Sequence, residues 1–202
     1  MPRRRRPAGS ADVSAAHAPL QARVELLLPD WIDGAVDRER RYVGDEDKVA
    51  LAVELSRRNI DVGSGGPFGA AVFDHDGRVI GVGVNRVVPQ TCSVAHAEMM
   101  AFMTAQTALG RYRLNETGAM TLATSAQPCC MCYGASFWAG IDTLLIGARS
   151  EDVMALTEFD EGPLPADWIG ELERRGIAVR RDLHRDAARD VLRRYGESGV
   201  AY

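Results

Sequence analysis

From Phe68 to Arg180 the chain alternates stretches of strand pattern with stretches of helix pattern, and this alternation is what most narrows its fold. The apolar, β-branched runs in "PFGAAVFDHDGRVIGVGVNRV" flank "DHDG", whose Asp76-Gly77 pair suits the φ > 0 positions of a tight hairpin turn. Strands are therefore expected near 68–74 and 78–85. Buried strands follow at "AMTLATS" and "TLLIGA", and a short one at "IAVR".

The helices are marked by their ends. "DEDKVALAVELSRRNI" carries acids in its first turn, Arg57 and Arg58 in its last, and a stripe of Val49, Val53, Ser56 and Ile60. "AHAEMMAFMTAQTALG" is built of strong helix formers and closes on Gly110. A third helix opens with Pro128 in "PCCMCYGASFWAGI", and further helices are expected at 150–157, 166–175 and over "HRDAARDVLRRY", whose alternating Arg and Asp mark a solvated face. The reading is an α/β layer fold with helices packed on a central sheet.

At 202 residues, 46% hydrophobic and 26% charged, the chain can bury one full core, and a single domain over 21–202 is expected. Residues 1–20, rich in Arg, Ala, Ser and Pro, read as a disordered tail without the apolar segment of a secretory signal. No stretch is long and apolar enough to span a bilayer. A cytoplasmic setting is therefore expected. The formal net charge of −4 counts against a phosphate backbone as an obligate partner.

Three of the four cysteines, Cys129, Cys130 and Cys132, fall within four positions. A reducing compartment disfavours a disulfide, which leaves a metal site or a thiol redox pair. Cys129 and Cys132 are spaced to share one face at a helix start, a geometry that serves either chemistry. His96 and Glu98 upstream complete the pattern H-x-E…P-C-x-x-C, in which one His and two Cys hold Zn²⁺ and the Glu is a general acid/base. Residues two apart on a helix point in opposing directions, so the ion has to sit off the helix end, with His96 on the metal and Glu98 over an open fourth position. Cys130 is expected to pack, and Cys92 to be a buried thiol.

On these motifs residues 45–160 resemble the cytidine deaminase-like superfamily, and within it the bacterial guanine deaminases and related nucleoside deaminases. "PFGAAVF", "GVGVNRV", "HAEMMA", "PCCMCYGASFWAGID" and "LIGA" are the blocks that carry the resemblance. It implies a three-layer α/β/α fold on a mixed sheet of about five strands, and hydrolytic removal of an exocyclic amine from a base or nucleoside, guanine first. Cytosine, a nucleoside, a specialised amino-heterocycle, a tRNA adenosine, and a zinc-stabilised binding protein without turnover are the alternatives. It also implies substrate contacts from Asn85, Phe68, an acid at Asp160 and the terminal Tyr202, and a homodimer that exchanges C-terminal segments. The chain departs from the resemblance at Ala126-Gln127, where guanine deaminases carry Cys-Glu, and in a longer region 161–202.

Overall fold

The computed structural model describes residues 23–199, so the expectations placed on residues 1–22 and on Tyr202 fall outside it. The chain forms α1 (Asp45–Asp61), β1 (Gly69–Phe73), β2 (Val79–Val84), α2 (Ala97–Leu109), β3 (Thr121–Ala126), α3 (Cys130–Ala139), β4 (Thr143–Ala148), α4 (Ser150–Leu156), α5 (Trp168–Glu173), β5 (Ala178–Arg180) and α6 (Arg185–Glu197). The five strands make one sheet in the order β2-β1-β3-β4-β5. β1 runs antiparallel to both β2 and β3, whereas β3, β4 and β5 are parallel, so the sheet is mixed, as the resemblance implies.

Each strand feeds two cores because successive side chains leave opposite faces. Ala71, Phe73, Ala123 and Leu145 pack with α1, α4 and α6, whereas Ala70, Val72, Leu122, Leu144 and Ile146 pack with α2, α3 and α5. Three layers result. Burying a side chain such as Leu144 contributes about 1.5–3 kcal/mol.

The "GVGV" of β2 has a packing reason. Val82 and Val84 join the α1 core, and the glycines between them turn to α2. A Cβ on Gly83 would collide with the Ala97 carbonyl and lie 2.5 Å from the Ala101 nitrogen, so only glycine lets α2 rest directly on the strand.

The region after residue 161 is integral to these layers. β5 lengthens the sheet beside β4, and α6 turns Ala188, Val191, Leu192 and Tyr195 inward against α1 and β4. Its Arg-rich face is tied to α4 through Asp152, only 3% exposed, which accepts hydrogen bonds from Arg185 at 2.7 and 2.9 Å, from the Arg149 backbone N–H at 2.9 Å, and from Arg189. No helix among the described residues is long and apolar enough to cross a membrane.

Candidate active site

The register of the sheet gathers the site at one end. Gly69 opposes Val84 and Ala70 opposes Thr124, so the start of β1 lies beside the ends of β2 and β3. Asn85 donates its N–H to the Phe68 carbonyl at 3.1 Å, and Gly69 N–H reaches the Ser125 hydroxyl at 3.0 Å. The first turns of α2 and α3 open onto the same edge.

His96 and Cys129 are the residues just outside these helices, both with extended backbone (φ −71°, ψ 158° and φ −65°, ψ 174°). The third helix thus begins at Cys130, two residues later than Pro128 suggests, because Cys129 serves as its cap. Glu98 and Cys132 lie in the first turns proper. The His96 Nδ1 atom is 3.5 Å from Cys129 Sγ and 3.7 Å from Cys132 Sγ, and the three ligand atoms lie within 4.8 Å of one another. Tetrahedral zinc with bonds of about 2.0–2.1 Å to nitrogen and about 2.3 Å to sulfur needs its ligand atoms about 3.6–3.8 Å apart. Both edges from the imidazole match that spacing, and one imidazole with two thiols leaves the fourth position open.

Electrostatics favour the same use. Cys129 is pushed down to about 4 by a hydrogen bond from the Cys132 thiol, with His96 adding to it against burial. That same bond, together with burial, raises Cys132, so without a cation the pair holds one proton. Burial lowers His96, but the Cys129 hydrogen bond and the charges of Glu98 and Glu161 outweigh it and leave the imidazole raised. Burial first, then the Cys129 charge, lifts Glu98 to about 7.

A cavity of about 480 Å³ opens in front of the triangle. Phe68, Asn85, Glu98 and Asp160 all border it, so the structure brings these expected residues together. Phe68 packs against Phe159 at 5.3 Å between ring centres, and Phe159 stacks on Tyr195 of α6 at 5.7 Å. Asn85 is buried, and its Oδ1 accepts the Val87 N–H at 3.3 Å. Among the described residues that line the cavity none is Lys or Arg, whereas Glu98, Glu158, Asp160 and Glu161 are all acids.

In "FDEG", Asp160 is exposed and accepts the Gly162 N–H at 2.9 Å, and the next residue, Glu161, also borders the cavity and is raised to about 8 by burial, with the charges of Cys129 and Glu98. Two expectations, both on cysteines, need correction. Cys130 does not pack inward but is exposed at the cavity rim, and Cys92 is only half-buried. The sequence reading also passed over Asn59. Its buried Nδ2 holds the carbonyls of Gly66 at 2.8 Å and Asn85 at 3.0 Å, and its Oδ1 accepts the Ser64 hydroxyl at 2.7 Å. Its partners lie up to 26 residues away, beyond any local pattern.

Residues 44–148 match the family described as the cytidine and deoxycytidylate deaminase zinc-binding region. The chain belongs to this family. A structure of the guanine deaminase from Nitrosomonas europaea superposes with a TM-score of 0.83 at 43% identity, covering 89% of this chain and 100% of that one. The structure of NE0047 in complex with 2,6-diaminopurine has a TM-score of 0.81 at 45% identity, covering 88% of this chain and 95% of that one. The guanine deaminase of Bacillus subtilis (strain 168) is 38% identical over 110 residues, which is 54% of this chain and 67% of that relative. The zinc-binding family, the five-stranded fold and the His-Cys-Cys donor set thus agree, and zinc is the ion this deaminase is built to hold.

Proposed function

We propose that this deaminase hydrolyses an exocyclic amine from a nucleobase, guanine first, releasing ammonia and leaving a carbonyl on the ring. The observation that carries the reading is the His96, Cys129 and Cys132 triangle facing a 480 Å³ cavity bordered by four acids and no cationic side chain among the described residues. A substrate phosphate would meet four acids and no Lys or Arg among the described lining residues, so the chemistry of the lining favours a neutral base over a nucleotide or a tRNA. The volume suits a single ring system.

His96 Nδ1 and the two thiolates would hold zinc, which when bound supplies Lewis acidity and a more acidic water. Glu98, lifted to about 7, takes a proton from the attacking water and delivers it to a ring nitrogen, then carries the second proton, from the hydroxyl now on the ring carbon, to the departing amine. Phe68 and Phe159, packed on each other, offer the ring one aromatic wall, Asn85 offers its amide, and the loop carrying Asp160 and Glu161 closes the far wall. Burial, with the charges of Cys129 and Glu98, raises Glu161 to about 8, and it borders the cavity from that loop.

We assign the deaminase to the cytoplasm, where its four free cysteines stay reduced. It pairs with a second copy; Trp138, 79% exposed on α3, offers apolar surface to that copy. Sedimentation at micromolar concentration reads the pairing directly, and a monomer would overturn it.

The deciding experiment is ammonia release by zinc-loaded protein on guanine, adenine, cytosine and their nucleosides, with Glu98→Gln as the blank. Turnover of guanine, lost by at least about a hundredfold in the blank, is the expected result. Silence on every base with zinc at one per chain would overturn the reading.

A further inference from the structure

Gln127 follows β3 directly and precedes Pro128 and the metal-ligating Cys129. It is only 4% exposed and borders the cavity. Its backbone is fixed: the N–H donates to the Ala148 carbonyl at 2.8 Å, and the following proline keeps Gln127 extended. Its side-chain amide, by contrast, makes no hydrogen bond to any described residue, although among the described residues no fully enclosed polar side-chain atom lacks a partner. The amide therefore keeps its small remaining exposure toward the cavity. Folding alone does not explain it, since burying an amide without a partner is unfavourable and ordering a long side chain costs conformational entropy. A ligand that completes its hydrogen bonds does explain it.

We propose that Gln127 is a specificity-determining residue whose neutral amide reads one edge of the substrate ring. The inference rests on the nucleobase reading above. A glutamine amide presents a C=O acceptor and an N–H donor side by side, so its complement is a ring edge with an N–H next to an acceptor, as in a lactam or an amidine. A carboxylate at this place would accept only. To the acids of the cavity Gln127 adds a fixed neutral donor and acceptor side by side, close to the metal site. The substrate class is a neutral heteroaromatic base bearing such an edge. Its position at a strand end, two residues before a metal ligand, makes the contact a rigid one.

The test compares wild type with Gln127→Leu and the isosteric Gln127→Glu, zinc-loaded, on guanine, 2-aminopurine (which lacks the N1–H and O6 edge) and 9-methylguanine (which lacks the N9–H). Leucine at 127 should lower kcat/KM for guanine about ten- to a hundredfold with zinc at one per chain. It should lower kcat/KM at least about tenfold less for whichever analogue already lacks the edge that the amide reads. Glutamate should lose on guanine as well, because the donor is gone, and it carries the same comparison if the leucine variant does not fold. An equal loss on all three rings, or a loss under twofold on guanine, overturns the proposal. If wild type turns over no base, the nucleobase deaminase reading fails on its own. Calorimetric binding of 8-azaguanine then decides: a Kd at least tenfold weaker in the leucine variant supports the role of Gln127, and an unchanged Kd, or no binding by wild type, overturns it.

Discussion

The backbone N–H of Cys130 donates to the Glu161 carbonyl at 3.0 Å, which ties the first residue of α3 to the acidic loop on the far wall of the cavity. Gly162 completes the tie. It sits in the left-handed region at φ +67°, and a Cβ there would lie 2.6 Å from Cys130 Sγ. Cys130 thus seats the loop, while its neighbours Cys129 and Cys132 face the metal position.

Gly162→Ala should therefore shift the loop without disturbing the ligands. The left-handed conformation costs an alanine roughly 1–2 kcal/mol, and the clash with the thiol adds to it. We expect about a tenfold fall in kcat/KM for the best base at unchanged zinc content. Steady-state kinetics with metal analysis checks this, and Cys130→Ala should recover part of the loss in the double variant. No recovery would remove the thiol contact as the cause.

Asn59 braces the opposite wall. Its amide holds the Asn85 and Gly66 carbonyls together, and the loop after α1 runs so close that a Cβ on Gly65 would lie 2.8 Å from the Asn59 amide nitrogen. Asn59→Ala leaves both carbonyls without their donor and should destabilise the fold by about 2–4 kcal/mol in urea melts. KM for the base should rise as well, because Asn85 loses its brace. A stability loss with KM unchanged would make Asn59 a purely structural residue.

These residues also show where sequence and structure part. The hairpin through Asp76-Gly77 and the glycine-studded β2 were legible because β-branched runs and turn residues are local signals. His96, Glu98, Cys129 and Cys132 were legible because metal chemistry needs those residue types at that spacing. Asn59 was not, since it sits one position before Ile60 at the edge of the apolar stripe and its partners come from distant loops. Glu161 was not legible: in an irregular segment no periodicity says which acid of a doublet is the more buried, and here Asp160 is exposed and Glu161 half-buried.

The α4–α6 junction makes stability depend on pH in a defined window. The hydrogen bond from Arg185 holds Asp152 down at about 2, with the Arg149 N–H and the Arg189 charge assisting against burial. The folded value lies below the unfolded one of 3.8, so the contribution of Asp152 is complete above about pH 4 and disappears as pH falls through about 2. Asp152→Asn should cost about 1.5–3 kcal/mol at pH 7, because Arg185 and Arg189 lose the carboxylate they donate to while remaining partly solvated themselves. The gap between wild type and the variant should then narrow between pH 4 and pH 2, where wild type protonates too. Urea melts of both proteins at pH 7, 4, 3 and 2.5 read this difference, in which any loss of metal common to the two cancels. A gap that stays constant would mean that Asp152 acts through shape alone.

The last prediction separates two cysteines that the sequence sets two residues apart. Cys132 is fully buried with its sulfur 3.7 Å from His96 Nδ1, whereas Cys130 is exposed and makes no contact with the ligand triangle. Losing a residue that merely orients a ligand costs metal affinity about 10–100-fold, so losing the ligand itself should cost more than about a hundredfold. Cys132→Ser should purify with little zinc and melt at a lower temperature, because zinc binding adds to the stability of the folded state. Cys130→Ser should keep one zinc per chain and the wild-type melting temperature. Metal analysis after dialysis against a weak chelator gives the comparison, and the opposite pattern would move the metal site from Cys132 to Cys130 and undo the ligand set.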